Sequence, residues 1–298
     1  MTIERIGLVL HVGRAGARDA AAGLIEWCRD HDVRVRTLAG EGVGEEECLP
    51  APGFCADLDL VVSVGGDGTL LRAAQLANDA DVPLLGVKVG RVGFLTEVEP
   101  AEAPELLAQV LEGKVRIEER LALEASVVGA EDAPPQWALN EVIVEKHARH
   151  RLVRLATTVG GQYVTTFSAD GVIVATPTGS TAYSFSARGP IVSPNLACIL
   201  VTPVSPHMVF DRSIVLPPDE EVLLEVLPEE SSWLSADGRP GIPLAVGARV
   251  RIRRAERPAR LVRREGSPSF FVLLREKFSL PWEAPQSSGG PGSVRPPD

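Results

Sequence analysis

Leu60-Val61-Val62-Ser63-Val64 runs straight into Gly65-Gly66-Asp67-Gly68-Thr69, and Leu70, Leu71, Ala74 and Leu76 follow at helical spacing. A short apolar run stopped by glycines reads as a buried strand, and the periodic residues after it as a helix. Where a parallel strand ends and a helix begins, open α/β sheets bind ligands. The glycines admit positive φ and let phosphate oxygens approach the backbone. N–H groups at the helix start supply local positive potential. An Asp between glycines projects into that space, where it can accept a proton from an attacking hydroxyl or organise a metal ion. On these residues alone a Gly-rich turn with a helix-capping Asp competes with that reading. The loop matches neither the Walker pattern nor G-x-G-x-x-G.

Outward from this junction the first third alternates strand and helix. Ile6–Val12, Val33–Leu38 and Val82–Val87 read as strands; Ala17, Ala20, Ala21, Leu24 and Cys28, and later Leu106, Leu107, Val110 and Leu111, recur at helical spacing. An acidic loop spans about 39–56. This predicts an α/β domain with a doubly wound parallel sheet over residues 1–118. Residues 119–262 predict a mostly antiparallel β domain, with strands such as Leu121–Val128, Ala138–Glu145 and Leu152–Val159 and a hairpin turn at Gly160-Gly161. One helix candidate inside it starts near Ser180. Residues 263–283 are expected to return to the first domain, with Phe270–Phe278 as a helix or extended segment. The tail, 284–298, is low-complexity and predicts disorder.

The formal net charge of −10 over 298 residues argues against a nucleic-acid binder relying on a basic field. No apolar run approaches the ~18 residues of a membrane span. Cys28, Cys48, Cys55 and Cys198 show no zinc spacing and suit reduced thiols. Met1 leads directly into a strand-like segment without a signal-peptide pattern, and the expected location is cytoplasmic.

A second constellation lies at Asp170-Gly171-Val172-Ile173-Val174-Ala175-Thr176-Pro177-Thr178-Gly179-Ser180-Thr181-Ala182-Tyr183-Ser184. A buried strand enters a turn crowded with small hydroxyl residues, then a helix bearing Tyr183 and Ser186. Capping needs one Ser or Thr; four plus an aromatic face look like a nucleotide site. Asn140-Glu141 offers a donor and acceptors to two ribose hydroxyls, although a surface strand explains the pair nearly as well.

Gly65–Thr69, Gly90-Arg91-Val92-Gly93-Phe94-Leu95, Leu139-Asn140-Glu141, Thr176–Tyr183 and Pro206-His207 occur in the order seen in NAD kinases. The chain resembles a bacterial member of that family over roughly Val61 to Leu280. Diacylglycerol and sphingosine kinases resemble only the Gly-Gly-Asp-Gly part. The resemblance implies a nucleotide site in the crevice between the two domains, NAD as substrate, ATP or polyphosphate as donor, a divalent metal ion (Mg²⁺ or Mn²⁺), and a homodimer or homotetramer. It implies Asp67 as proton acceptor for the 2′-hydroxyl, with Gly68 beside it and Gly65, Gly66 and Thr69 completing a phosphate loop. Asn140 and Glu141 resemble the ribose-contacting pair. Asp170 and the turn Thr181, Ala182, Tyr183, Ser184, Phe185 and Ser186 resemble further NAD contacts, Tyr183 reaching a neighbouring subunit. Arg72 and Arg151 are further NAD-binding candidates, cations placed to meet a phosphate, with a solvated helix face as the other reading of Arg72.

The chain departs from the family pattern at Lys88, where Asn is usual, at Arg188-Gly189, where two glycines are usual, and at Ser213, where Pro is frequent. Lys88 as an extra cation predicts stronger phosphate binding or altered donor preference. His147 and His150 lack a third metal ligand and read as a solvated pair. His207 reads as structural or near the site. Gly40–Gly44 carries carboxylates that would repel a pyrophosphate. The Arg-rich run 251–264 reads as a solvated edge. Two rivals to NAD phosphorylation remain at this level: a lipid kinase, and a dinucleotide sensor without catalysis.

Overall fold

The computed structural model describes residues 3–280 apart from 45, 92, 131, 132, 149, 229 and 230; the expected disorder of 284–298 lies outside the described residues. The first part of the chain forms β1 (Arg5–Leu10), α1 (Ala15–Asp30), β2 (Arg34–Leu38), β3 (Glu47–Leu49), β4 (Leu60–Gly65), α2 (Asp67–Asn78), β5 (Leu84–Lys88), α3 (Ala103–Leu111) and β6 (Arg116–Arg120). Then come β7 (Leu123–Val127), β8 (Gln136–Ala138), β9 (Glu141–Lys146), β10 (Val153–Val159), β11 (Gln162–Ala169), β12 (Gly171–Ala175), a 3₁₀ turn (Thr178–Thr181) and α4 (Tyr183–Ser186). The rest is β13 (Ile199–Val204), β14 (Ile214–Leu216), β15 (Val222–Val226), β16 (Ser232–Ala236), β17 (Ile242–Leu244), β18 (Arg249–Arg254), β19 (Ala259–Arg263) and α5 (Phe270–Phe278).

The first sheet has the order β3-β2-β1-β4-β5-β19-β6. β1 to β5 run parallel; β19 joins β5 in parallel and β6 antiparallel. Period-two alternation gives each strand two buried faces. Ile6, Leu8 and Leu10 point into a core shared with Leu24 and Cys28 of α1 and Leu106 and Val110 of α3. Val9, Val61 and Leu84 point the other way, against Leu70, Ala73 and Ala77 of α2. Helices therefore cover both faces, as a doubly wound sheet requires. From β1 the chain builds outward through β2 and β3; it then restarts at β4 and builds to the other side. The crevice at the C-terminal ends of β1 and β4 is thus the topological switch point.

The later strands form two six-stranded antiparallel sheets, β11-β10-β15-β18-β7-β8 and β14-β13-β12-β9-β16-β17. Their inner faces bury one core that includes Leu155, Phe167, Val172, Val174, Val201, Leu224, Leu234 and Ile252. The β10–β11 hairpin turns through Gly160 and Gly161 at φ +54° and +78°, the positive pair that a tight two-residue hairpin demands. Trp137 and Leu139 join the cluster on the α2 face of the first sheet, so the two halves share apolar contact. Arg120 of β6 also reaches across, its Nη1 donating to Thr178 Oγ1 at 3.3 Å.

Several elements differ from expectation. β1 ends at Leu10, one residue before His11, whose N–H still meets Val64 O of β4 at 3.0 Å and whose carbonyl accepts the Arg14 N–H of the following turn at 3.1 Å. The strand expected over Ala138–Glu145 is two strands in different sheets, β8 and β9, broken at Leu139-Asn140. The helix expected near Ser180 is a 3₁₀ turn followed by the single turn of α4. The short strands β3 and β6 were not foreseen, and the Arg-rich run 251–264, expected as a solvated edge, contains β18 and β19, each flanked by two strands, with Ile252, Leu261, Val262 and Arg263 buried.

Candidate active site

Asp67 opens α2, with Gly66 in extended conformation at the N-cap. Its carboxylate accepts the backbone N–H of Phe94 at 2.9 Å and of Leu95 at 3.2 Å. The approach is so close that a Cβ on Gly93 would lie 2.0 Å from Asp67 Oδ1. Gly65 is equally confined, since a Cβ there would meet Thr69 Oγ1 at 2.3 Å. These two glycines are needed for space. The Gly-rich loop is thereby clamped to the loop after β5, and two of the roughly four lone-pair sites of the Asp67 carboxylate are taken.

In front of this loop, at the switch point, lies a cleft of ≈ 430 Å³ lined by Leu10, His11, Arg14, Gly66–Thr69 and Arg72. Arg72 is partly exposed but anchored. Its Nη1 lies 2.7 Å from Glu41 and its Nη2 donates to Leu10 O at 2.5 Å, while the buried Glu41 also accepts the Leu10 N–H at 2.7 Å. The carboxylate of Glu41, in the Gly40–Gly44 segment, is therefore the anchor of a cleft cation. Arg14, at the N-cap of α1, donates to Val89 O and lies against Gly66 and Gly90.

The second group of expected residues is built around the break between β8 and β9. Thr176 Oγ1 donates to Leu139 O at 2.6 Å, the Thr176 N–H to Asn140 O at 2.9 Å, and a Cβ on Gly179 would lie 2.1 Å from Asn140 O. Glu141 is buried and accepts the Tyr183 backbone N–H; burial first, and the Asp237 charge second, push its carboxyl up to about 8. Its Oε2 has no hydrogen-bond partner among the described residues. Tyr183 is 41% exposed, and its hydroxyl is raised by burial and by Glu145, Asp170 and Glu141 around it. Asp170 pairs with Lys146, and Tyr183, Asp170, Lys146, Glu145 and His147 line a smaller cleft of ≈ 160 Å³.

The two groups meet through aromatic contacts. Phe94, whose N–H Asp67 holds, lies 6.3 Å from Phe278 of α5, and Phe278 lies 4.7 Å from Phe185 of α4, centroid to centroid. Gly93 and Phe94 also share the walls of a ≈ 480 Å³ crevice with Pro177, Thr178 and Thr181. The crevice between the halves is thus bordered by the Thr176–Tyr183 turn and by the loop that Asp67 holds, while the Gly-rich loop itself lines the other cleft.

Residues 51–115 match the family model of the ATP-NAD kinase N-terminal domain, and residues 139–264 that of the ATP-NAD kinase C-terminal domain. An NAD kinase of Heliobacterium modesticaldum is 42% identical over 279 residues, covering 92% of this chain and 98% of the relative. One of Moorella thermoacetica is 41% identical over 286 residues, covering 93% and 89%. The chain belongs to the NAD kinase family. An NAD kinase from Archaeoglobus fulgidus solved with ATP superposes with a TM-score of 0.71 at 26% identity, covering 93% of this chain and 96% of that one. A yeast NADH kinase solved with NADH shares the fold, with a TM-score of 0.85 at 23% identity, covering 96% and 91%.

Family membership selects an NAD kinase, a phosphotransferase, over the lipid-kinase and sensor readings. No helix among the described residues is long and apolar enough to cross a membrane. Of the hydroxyls expected to face ligand, several serve the NAD kinase fold instead. Ser180 Oγ bridges the Val192 backbone at 3.0 and 3.1 Å, and Ser184 Oγ lies 3.2 Å from Thr202 Oγ1, which in turn meets Ser213. Thr181 Oγ1 donates to Thr178 O at 3.3 Å. Ala182 is the residue between the 3₁₀ turn and α4, and Ser186 ends α4. Arg151 sits on an exposed turn, its N–H on Ala148 O, and lines none of the three clefts described.

Lys88 lies 3.0 Å from Glu99 and faces the crevice between the halves, not the Gly-rich cleft. Its extra charge is compensated locally. His147 accepts the Trp233 indole N–H, and among the described residues no group of three His, Cys, Asp or Glu could hold a metal ion. Sequence reading missed Arg14, which lines the Gly-rich cleft, and Glu41 and Asp237, which hold Arg72 and the Leu139–Glu141 segment. Asp237-Gly238 signals only a turn; Arg14 and Glu41 sit in loops whose partners are remote in sequence.

Proposed function

We propose that the protein transfers the γ-phosphoryl group of ATP to the 2′-hydroxyl of the adenosine ribose of NAD, giving NADP⁺ and ADP. The observation that carries the reading is the placement of Asp67 at the switch point, on the first turn of α2, with its carboxylate oriented by Phe94 and Leu95. The O2′ proton passes to the free lone pairs of that carboxylate, the O2′–P bond forms, and the bond from Pγ to the bridging oxygen breaks in line. First-turn N–H groups of α2, with Arg14 and the Glu41-anchored Arg72, hold donor phosphates. Asn140, Glu141, Asp170 and the Thr181–Ser186 turn hold the dinucleotide, with Tyr183 exposed enough to meet a second subunit of a homodimer or homotetramer.

A resident metal site does not fit the described side chains. The Mg²⁺ or Mn²⁺ of the reading enters with the donor as part of the metal–nucleotide substrate, since Mg²⁺ is commonly held by substrate phosphates. The test is NADP⁺ formation from NAD⁺ and MgATP, read through an NADP-specific dehydrogenase, with Asp67→Asn in parallel and polyphosphate as the alternative donor. Product from wild type and almost none from the variant supports the reading. NAD⁺ binding without product from either donor overturns it in favour of a sensor.

A further inference from the structure

We propose that Asp237 is a positioning residue that sets the NAD-contacting segment Leu139–Glu141 by gathering its three successive backbone N–H groups on one carboxylate. The inference rests on the reading of Asn140 and Glu141 as NAD contacts. Asp237 Oδ2 accepts from Leu139 at 2.8 Å, and Oδ1 accepts from Asn140 at 2.8 Å and Glu141 at 3.1 Å. The Asp237 N–H returns to Glu141 O at 3.0 Å.

The need for such a clamp follows from topology. β8 belongs to one antiparallel sheet and β9 to the other, so the chain between them leaves one ladder before entering the next. Buried backbone groups in that gap must find partners outside a ladder. All six are accounted for: the carbonyls of Leu139 and Asn140 go to Thr176, that of Glu141 goes to the Asp237 N–H, and the three N–H groups go to the Asp237 carboxylate. No backbone group of the segment is left to compete for the side chains of Asn140 and Glu141. Glu141 accordingly keeps a buried oxygen without a partner among the described residues.

A plain turn after β16 needs no buried charge. Asp237 sits at φ +48°, a conformation that Asp tolerates, with Arg239 nearby donating to Ala236 O and Trp137 O. Placing one carboxylate beside the buried Glu141 costs stability, so this turn favours the geometry of residues 139–141 over its own economy. Asp237→Asn replaces one acceptor by an N–H₂ donor facing an N–H, while preserving size.

The test is steady-state kinetics on wild type, Asp237→Asn and Asp237→Glu, varying NAD and ATP separately, with thermal unfolding of each. For Asp237→Asn the KM for NAD should rise about tenfold or more, the worth of a charge-assisted hydrogen bond, with the KM for ATP within about twofold of wild type. Asp237→Glu, which keeps the charge but misplaces it, should show the same split more weakly, and it carries the test alone if Asp237→Asn does not fold. A merely structural role would lower the melting temperature and the active fraction with both KM values unchanged. An unchanged KM for NAD in a folded variant, beside an active wild type, overturns the positioning role alone. A wild type that forms no NADP⁺ overturns the functional reading beneath it.

Discussion

Phe94 donates its backbone N–H to the carboxylate of Asp67 at 2.9 Å, so the residue proposed to take the substrate proton also fixes the loop after β5. Asp67→Asn therefore changes two things at once: it removes the base, and it turns an amide N–H₂ toward one of two N–H donors. Turnover should fall by about 10²–10⁴, the usual size of a general-base contribution. Gly93→Ala isolates the second effect, because its methyl would lie 2.0 Å from Asp67 Oδ1 while the carboxylate stays. It should lower both stability and kcat. Full activity in Gly93→Ala would show that the clamp is dispensable.

The Arg72–Glu41 pair makes a different prediction. Arg72 is held at the wall of the Gly-rich cleft by a buried carboxylate and by Leu10 O, so it can offer its remaining donors to a phosphate at little entropic cost. Arg72→Ala should raise the KM for ATP about tenfold or more, and Arg72→Lys should recover only part of it, since Lys lacks the planar fork. The KM for NAD should hardly move. Equal rises in both constants would assign Arg72 to the fold rather than to the donor.

What could be read from the residues in advance followed the range of the forces involved. The β4–loop–α2 junction was legible because its signals are local: a continuous apolar run, glycines, then a 3.6-residue period. β6 was not, since Arg116-Ile117-Glu118-Glu119-Arg120 has no apolar alternation. Its Glu118 lies within 3.0 Å of both Arg120 and Arg263 of β19, and those two charges outweigh burial and lower the Glu118 carboxyl. β3 is three residues long and hidden in the acidic loop. At the candidate site, composition located the Thr176–Ser186 turn but not what its hydroxyls do. Ser180 and Ser184 satisfy remote partners, Val192 and Thr202, that no spacing rule connects to them. Asp237 is the sharpest case, because a turn signal concealed a contact across 96 to 98 positions.

The buried Glu141 gives a pH signature with a definite sign. Its carboxyl is pushed up to about 8, first by burial and then by Asp237, with the Tyr183 backbone N–H opposing. Asp237 itself is raised by burial, against its three N–H bonds and Arg239. The folded chain thus holds a proton that the unfolded chain releases at an ordinary carboxylate value of 4.5. Stability should fall as pH rises from there through about 8 and level off above, because the native state binds more protons across that window. Denaturant unfolding at a series of pH values in wild type and Glu141→Gln would reveal it: the variant should lose most of this decline, and an identical slope in both would place the titration elsewhere.

Arg188 offers a test independent of chemistry. It follows α4 at φ +66°, in the left-handed region, where the family pattern has glycine. Its N–H bonds Phe185 O at 2.9 Å, and the next N–H, of Gly189, bonds Ser184 O at 2.7 Å, so the chain must turn left-handed here to close the helix end. Gly189 cannot be relaxed, since a Cβ there would meet Ser184 Oγ at 2.3 Å. Arg188 can. A non-glycine residue costs about 1–2 kcal/mol in this conformation, and glycine returns roughly 0.5–1 kcal/mol of that as unfolded-state entropy. Arg188→Gly should therefore stabilise the protein by about 0.5–1 kcal/mol in denaturant unfolding. Arg188→Ala, which removes the charge but keeps a Cβ, should not. If Ala stabilised as much as Gly, the cost at this position would lie in the guanidinium and not in the backbone.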